Sequence, residues 1–248
     1  MKSSPPTTES LNVRPISCFG SSEEATLATP AWEPAWRRQL LQSPLRISSA
    51  EQDALARVVP LLVCGEQSAI SVFGGAANQH ATGPARQLKT AFMQIEFDES
   101  GHEAAWQHLF AVLPQPRDLH RLKRRAQLFF TRLGRSESIG HHFAQVAQLD
   151  SVVGVMMWFL ERSTIARDDR IRTLANQIKR DEARHVSVSR RYAGALGIRR
   201  DEFSDLGKRI RTDITSLLLP VGDALETIGV DADAMFSRIN RHACTRLN

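Results

Sequence analysis

Two short segments of the chain repeat the same arrangement of metal-binding side chains. Residues 98–102 read Asp-Glu-Ser-Gly-His and residues 181–185 read Asp-Glu-Ala-Arg-His, so both follow the pattern Asp-Glu-x-x-His. On a helix, a Glu and a His three positions apart share one face and can bind one metal ion. Two such motifs, with one carboxylate from each of two further helices, form a dinuclear site inside a helical bundle. The pattern therefore predicts four metal ligands: Glu99, His102, Glu182 and His185.

The apolar pattern places these motifs on long helices and predicts an all-α protein. Apolar residues recur at helical spacing, and no segment alternates at period two for long enough to indicate a sheet. Ser48 and Glu51 have the types and spacing of a capping box, which predicts the start of the first long helix. We expect residues 1–47 to form a partly disordered N-terminal arm and residues 48–248 to form one helical domain. Its predicted bundle helices are 48–80, 84–113, 136–166 and 168–196, with extra helices at 118–133 and 200–245.

Position along the helices selects the two remaining carboxylates. Counted from the turn between the first two helices at ~1.5 Å per residue, Glu66 lies about level with Glu99. In the third helix, Asp150 lies about level with Glu182, whereas Glu161 is more than ~10 Å from that height. We therefore predict Glu66 and Asp150 as ligands. Glu161 stays open as the alternative, because Asp is one methylene shorter than the Glu that is usual at such positions.

The types of ligand indicate which metal to expect. Four carboxylates and two imidazoles favour iron or manganese over structural zinc, which prefers four ligands and often thiolates. We expect two Fe ions, with an Fe/Mn or a Mn pair as the alternative. Asp98 and Asp181 each precede a ligand Glu, and we predict that they accept the free N–H of a metal-bound imidazole. The alternative is that both aspartates are solvated helix residues.

These motifs resemble those of the ferritin-like di-iron carboxylate proteins. That superfamily includes ferritins, rubrerythrins, acyl-carrier desaturases, the small subunit of ribonucleotide reductase and N-oxygenases. The resemblance covers residues 50–196 and is strongest at residues 179–185, Lys-Arg-Asp-Glu-Ala-Arg-His. It implies a ferritin-like four-helix bundle with ligands in the order Glu, Glu-x-x-His, Glu, Glu-x-x-His. Residues 148–152, Gln-Leu-Asp-Ser-Val, are similar to the third ligand segment, with Asp150 in place of Glu.

The resemblance also implies an activity. We expect a non-haem di-iron oxygenase or oxidase that uses O2 to hydroxylate, N-oxygenate or desaturate a small organic or carrier-bound substrate. The N-terminal arm and extra helices suit a substrate pocket or homodimer contacts better than compact iron storage. No cysteine pair indicates a rubredoxin-like module, so we expect an external electron donor. The alternatives are an iron-binding or storage protein and a non-enzymatic helical protein that binds an acidic partner.

The charge of the chain bears on its partners. The formal net charge is +5, and basic residues are dense at residues 117–135. This segment is interpreted as a solvated face, with docking of an acidic partner such as a carrier protein as the alternative. Nucleic acid is not expected, because no binding motif is present.

The remaining features concern location and the surroundings of the ligands. Cys18, Cys64 and Cys244 show neither a disulfide framework nor zinc spacing, which fits a reducing cytoplasm. We expect no membrane span and no signal peptide. Gly65, Gly101 and Gly154 lie near predicted ligands and leave room either for dioxygen or substrate or for close helix packing. His141 and His142 are interpreted as ordinary residues at a helix start.

Overall fold

The chain is helical throughout the part that the structure describes. The computed structural model describes residues 16–19, 30–79, 86–136 and 138–241, and no strand occurs in these ranges. The predicted all-α class is confirmed. The helices are α1 (Trp32–Gln42), α2 (Ser49–Gln79), α3 (Arg86–Ala111), α4 (Leu119–Leu133), α5 (Ile139–Leu160), α6 (Asp169–Ala195), α7 (Arg200–Leu218), α8 (Gly222–Thr227) and α9 (Ala232–Arg241).

The four long helices lie close to their predicted positions. The Ser48 N–H donates to Glu51 Oε2 (2.7 Å), and the Glu51 N–H donates to Ser48 Oγ (3.3 Å), so the capping box before α2 is confirmed. α5 ends at Leu160, six residues before the predicted position 166, and a 3-10 turn at Thr164–Arg167 precedes α6. In the region 200–245, helical stretches were predicted at about 200–219 and 231–245; α7 and α9 lie at these positions, and the short helix α8 between them was not predicted. The turn predicted near residue 82 lies outside the described residues.

The long helices pack as two pairs. α2 packs along α3, and α5 packs along α6. Each pair is antiparallel, because its two helices are joined by a short connection and contact each other along their length. α3 also contacts α6, which brings the two motif-bearing helices together. α4 packs on α2, α7 packs on α5, and α4 contacts α7, so these two helices form an outer layer over one side of the core.

Helix α1 lies in the segment that the sequence indicated as an irregular arm. Trp36 is buried, and its Nε1 donates to the Arg170 carbonyl (2.9 Å). The Arg170 guanidinium donates to the carbonyls of Ser43 (2.7 Å) and Pro44 (2.8 Å), just after α1, and pairs with Asp168 (2.6 Å). These bonds fix α1 against the start of α6. They join residues more than 120 positions apart in sequence, which is why local periodicity did not indicate the helix.

The cysteine prediction was wrong in one respect. Cys18 and Cys64 form a disulfide, with Cα atoms 5.5 Å apart. Cys64 is buried and is not a free thiol. The two residues are separated by 46 positions, so only the folded chain shows that residues 16–19 cross α2 at this point. Disulfides are typical of oxidising environments, so the cytoplasmic location stays a prediction that needs its own test. Cys244 lies outside the described residues.

Two of the helices are long and apolar enough to cross a membrane by length and composition. They are the segment Ser49–Ala76 of α2 and the whole of α5, Ile139–Leu160. The core helices of a soluble protein pass the same test, and 61% of the α5 window is buried inside the protein. Each helix also carries a buried carboxylate, Glu66 or Asp150. The absence of a membrane span stays a prediction, and the apolar character of these helices fits their place in the core.

Candidate metal centre

Six side chains from the four long helices meet in the interior. α2 and α5 each contribute a carboxylate, and α3 and α6 each contribute a carboxylate and an imidazole. All six side chains belong to residues that are at most 7% exposed. They form two groups, each with ligand atoms within 4.8 Å of one another, that can hold a metal ion. One group is Glu66, Glu99, His102 and Glu182, and the other is Asp150, Glu182 and His185.

The carboxylate of Glu99 lies between the two imidazoles. Its Oε2 is 3.4 Å from His102 Nδ1, and its Oε1 is 3.0 Å from His185 Nδ1. Glu66 Oε2 lies 3.7 Å from His102 Nδ1, and Glu182 Oε2 lies 3.7 Å from His185 Nδ1. The cluster therefore has two ends, each with one imidazole, and Glu99 and Glu182 connect them.

Nε2 of each imidazole, the ring nitrogen that points away from the cluster, is hydrogen-bonded to the aspartate of the other motif. His102 Nε2 is 3.0 Å from Asp181 Oδ2, and His185 Nε2 is 3.3 Å from Asp98 Oδ2. An ionised carboxylate can only accept, so Nε2 of each ring is the donor. Nδ1 is then the nitrogen that faces the carboxylates and can bind a metal. The structure thus places Asp98 and Asp181 where the sequence predicted an N–H acceptor, but each serves the opposite helix.

The aspartates have a repeated set of partners that sequence reasoning missed. Gln94 Nε2 donates to Asp98 Oδ1 (3.1 Å), and Gln177 Nε2 donates to Asp181 Oδ2 (2.9 Å). Arg184 pairs with both aspartates and lies 3.0 Å from Asp181 Oδ1. The two glutamines stand four residues before their aspartates, so both copies read Gln-Ile-x-x-Asp-Glu-x-x-His. That longer repeat was a signal available in the sequence.

A tryptophan orients the carboxylate from α2. Trp106 is buried, and its Nε1 donates to Glu66 Oε1 (3.1 Å). Because this bond uses Oε1, the other oxygen of the carboxylate, Oε2, faces His102. Trp106 follows Glu99 by seven residues, two helical turns on the same face of α3, so its position was readable from the sequence. Its role as a donor was not, because that depends on how α2 and α3 pack.

Four atoms of the cluster have no partner among the described residues at hydrogen-bond geometry, although some lie close to a charged group. They are His102 Nδ1, His185 Nδ1, Asp150 Oδ2 and Glu182 Oε2, and all four are buried. Buried polar atoms without a partner are uncommon and costly. Each of these atoms belongs to a predicted ligand, and a metal ion would satisfy it. The donor set of carboxylate oxygens and imidazole nitrogens therefore fits a bound iron or manganese ion.

The carboxylates of Glu66 and Glu99 influence each other's pKa. Burial and the negative charge of Glu99 raise the pKa of Glu66 well above its usual value. Burial also raises the pKa of Glu99, but its contacts with Glu66 and with the two imidazoles outweigh burial and hold that pKa well below the usual value. Of the two carboxylates, Glu66 is therefore the one that favours the protonated form.

The other four ligand candidates all bind protons more tightly than usual. Burial, and then the charge of Glu182, raises the pKa of Asp150 well above its usual value. Burial and Glu99 raise the pKa of Glu182. Burial lowers the pKa of His102, but Asp181, Glu66 and Glu99 together raise it by more. The pKa of His102 is therefore above its usual value. For His185, Glu99 and Asp98 outweigh burial, and its pKa is raised well above the usual value. Protons and a metal cation would therefore compete for these positions.

The third-helix ligand was left open between two acids, and the structure separates them. Asp150 is buried in the cluster. Glu161 lies just after α5, where it contacts Lys179 and pairs with Arg162 (2.7 Å). The structure therefore brings Asp150 and not Glu161 to the other five residues. The ligand role of Asp150 stays a prediction.

The other residues singled out in the sequence have simpler surroundings. His141 Nδ1 contacts the Ser138 hydroxyl (2.8 Å) at the start of α5, away from the cluster, as expected of a helix-start residue. A Cβ at Gly101 would lie 2.5 Å from Pro30, so this glycine allows close packing. A Cβ at Gly154 would meet nothing within 4 Å.

An apolar cavity of about 60 Å³, here called the inner cavity, adjoins the cluster. All four carboxylates of the cluster (Glu66, Glu99, Asp150 and Glu182) line this cavity, and Gly65 lines it on the α2 side. A Cβ at Gly65 would lie 3.2 Å from the Phe130 ring, so this position has little spare room. The remaining wall is mainly aliphatic: Leu61, Leu62, Val153, Met156, Ile214 and Leu218.

Comparison with known proteins found no similar sequence or structure. No protein-family model matches the chain, and no curated protein or solved structure matches it either. The functional conclusion therefore depends on the geometry and chemistry of the cluster.

Proposed function

We propose that the chain is a ferritin-like protein with a dinuclear non-haem iron centre, acting as an O2-dependent oxygenase or oxidase. The observation that carries the proposal is that four buried ligand atoms from α3, α5 and α6, none with a hydrogen-bond partner among the described residues, belong to two adjoining groups that can each hold a metal ion. The two crossed aspartate–histidine hydrogen bonds support it, because they present Nδ1 of each ring to one of these groups. A core that served packing alone would gain nothing from this arrangement.

Charge balance supports two divalent ions. The cluster holds four carboxylates, which carry four negative charges when all are ionised. Two divalent cations would neutralise them, and the two imidazoles would bind as neutral ligands. Burying four unpaired carboxylates would be far more costly than burying a neutral assembly. One ion would leave two charges uncompensated, so the ligand set fits a pair better than a single metal. A mixed Fe/Mn or a Mn pair has the same charge.

The protein contributes position, exclusion of water and a place for the substrate. Bound ferrous ions would supply the electrons for O2 activation, which side chains cannot do. Glu99 and Glu182 lie where a shared carboxylate is needed, and Trp106 and the two aspartates hold the ligands in orientation. The Trp32 ring of α1 lies 6.4 Å from the His102 ring and covers that end of the cluster. The inner cavity leaves apolar space beside the carboxylates.

The partners belong to the same proposal. Catalytic turnover would require an external electron donor, and a homodimer, a cytoplasmic location and an acidic carrier protein at α4 stay predictions. α4 presents exposed basic residues suited to such a contact: Arg121, Arg124, Arg125 and Arg132.

Oxygen consumption tests the proposed activity. Anaerobic protein loaded with ferrous iron, then mixed with oxygenated buffer, should consume O2 in proportion to protein, at about one O2 per pair of irons. Glu99→Ala and Glu182→Ala should abolish this uptake. Uptake of many irons per chain would instead indicate storage. Absence of both metal binding and O2 consumption would favour the non-enzymatic interaction protein and overturn the proposal.

A further inference from the structure

A basic groove lies on the outer layer between α4 and α7. It has a volume of about 400 Å³, and its lining includes Arg125, Arg132 and Arg209 with a single acid, Asp213. Arg125 donates to the Ser216 carbonyl. Within the described part of the chain, the guanidinium groups of Arg132 and Arg209 have neither an ion pair nor a hydrogen bond. The groove therefore offers two uncommitted, planar cationic groups.

The basic groove and the inner cavity adjoin each other. Leu217 of α7 lines both spaces. On α5, Gln145 lines the groove, and Leu149, one turn further, lines the cavity. On α4, Phe129 and Phe130 occupy the corresponding neighbouring positions. Along α5, the step from Gln145 to the cluster residue Asp150 is about 7–8 Å at ~1.5 Å per residue.

The basic groove and the inner cavity differ in the polarity of their walls. The outer end carries the three arginines, whereas apart from Glu66, Glu99, Asp150 and Glu182 at its innermost end the cavity is lined by apolar residues. A ligand that matches both ends has an anionic head and an apolar body. Guanidinium groups bind carboxylate or phosphate oxygens in pairs, and the cavity stabilises a body that leaves water. A ligand with a cationic head would be repelled at the groove.

We propose that the basic groove and the inner cavity together bind a small amphipathic organic acid as the substrate of the metal centre. Arg132 and Arg209 hold its anionic head, and its apolar end passes Leu217 and lies beside the carboxylates of the cluster. This inference rests on the proposed function for the chemistry, but the binding itself does not require metal. It differs from docking of a carrier protein on α4, because the head group is held between α4 and α7 and Arg209 of α7 takes part.

Calorimetric titration with a matched set of probes tests the proposal. Decanoate should bind, while acetate, which lacks the apolar body, and decylamine, which has a cationic head, should not. Decanol should bind at least tenfold more weakly than decanoate. Affinity should rise by about fourfold for each methylene that is buried, from butanoate to about hexanoate, and should level off for longer chains. Equal affinity for decanoate and decanol, or no dependence on chain length, would overturn the proposal.

Variants locate the head group. Arg132→Gln and Arg209→Gln should each weaken decanoate binding by about tenfold, as loss of a charged hydrogen-bond donor does. Arg124→Gln, on the same helix with the same change of charge, is the control, because Arg124 does not line the groove. All three residues are exposed, so folding should persist and can be checked by thermal unfolding. An equal loss in Arg124→Gln would show that general charge on α4, and not the groove, attracts the acid.

The same samples separate this inference from the proposed function. Metal content is measured for each protein before titration. Protein that binds two metals but not decanoate retains the proposed function and contradicts the inference. Protein that binds decanoate through Arg132 and Arg209 but no metal supports the groove and contradicts the di-iron proposal.

Discussion

At the level of single residues, hydrogen bonds behind the ligands decide which atoms face the centre. Asp181 holds His102, and Asp98 holds His185, so each helix orients the ligand of the other. Arg184 contacts both aspartates and links the two halves. A ring without this partner could rotate or change tautomer, and its Nδ1 would no longer be fixed towards the cluster.

This reciprocal support can be tested by removing one aspartate at a time. Asp181→Ala and Asp98→Ala should each lower the affinity for Mn(II) or Fe(II) by about 10- to 100-fold, the usual effect of losing such a partner. Asp205→Ala is the control, because Asp205 is exposed on α7 and is hydrogen-bonded by Lys208. Anaerobic metal titration measures the affinities. Unchanged affinity in both aspartate variants would mean that the imidazoles are not ligands.

The choice between the two α5 acids is a second test at this scale. Asp150→Ala removes a buried carboxylate of the cluster, so we expect loss of at least one of two bound metals. Glu161→Ala removes only ion pairs with Arg162 and Lys179 near the surface and should leave the metal content unchanged. Metal analysis of the purified proteins measures the difference. Loss of metal in Glu161→Ala alone would contradict the placement of Asp150.

At the level of elements, regular helices made much of the site predictable. A fixed rise per residue allowed Asp150 to be placed level with Glu182 from turn positions alone. Ser48 and Glu51 marked the start of α2 because a capping box depends only on local spacing. The predicted bounds were less accurate at the end of α5, which stops at Leu160 and not at residue 166.

Other features required the folded chain. The fixing of α1 by Arg170 and the disulfide between Cys18 and Cys64 join segments far apart in sequence. The crossing of Asp98 to His185 depends on how α3 and α6 face each other, which a linear motif does not contain. The paired glutamines, by contrast, were visible in the sequence as part of a longer repeat.

The packing around two glycines, Gly154 and Gly101, predicts that replacing each by alanine changes the free energy of unfolding in opposite directions. A Cβ at Gly154 meets nothing within 4 Å, so Gly154→Ala should raise the free energy of unfolding by about 1 kcal/mol through helix propensity. Gly101→Ala should lower it by about 1–3 kcal/mol, because its Cβ would overlap Pro30. Chemical denaturation measures both. Stabilisation by Gly101→Ala would contradict the close contact between α3 and the segment before α1.

At the level of the whole molecule, the cluster concentrates charge that the metal-free fold must accommodate. The raised pKa values of Glu66, Asp150 and Glu182 stabilise the fold below their unfolded values of about 4, and that stability is lost as pH rises through the folded values. The raised pKa values of His102 and His185 act in the same direction above about 6.5. The lowered pKa of Glu99 acts oppositely, with stability lost only as pH falls.

Metal binding should remove this pH dependence, because cations replace the protons. The difference in Tm between metal-loaded and metal-free protein should therefore grow from about pH 5 to about pH 8. Comparing the two forms cancels titrations elsewhere, such as that of Asp168, where burial raises the pKa but Arg170 outweighs it and lowers the pKa to about 2. Thermal unfolding in buffers of matched ionic strength measures the difference. A constant or shrinking difference would contradict the protonation described for the cluster.

The number of metal ions bound per chain tests the account most directly. Protein reconstituted anaerobically with ferrous iron and freed of excess metal should contain about two irons per chain, as four carboxylates and two imidazoles require. Glu99→Ala and Glu182→Ala, which remove the carboxylates that connect the two ends, should contain less than one. Wild-type protein without stoichiometric iron or manganese, or variants that retain two metals, would contradict the dinuclear centre.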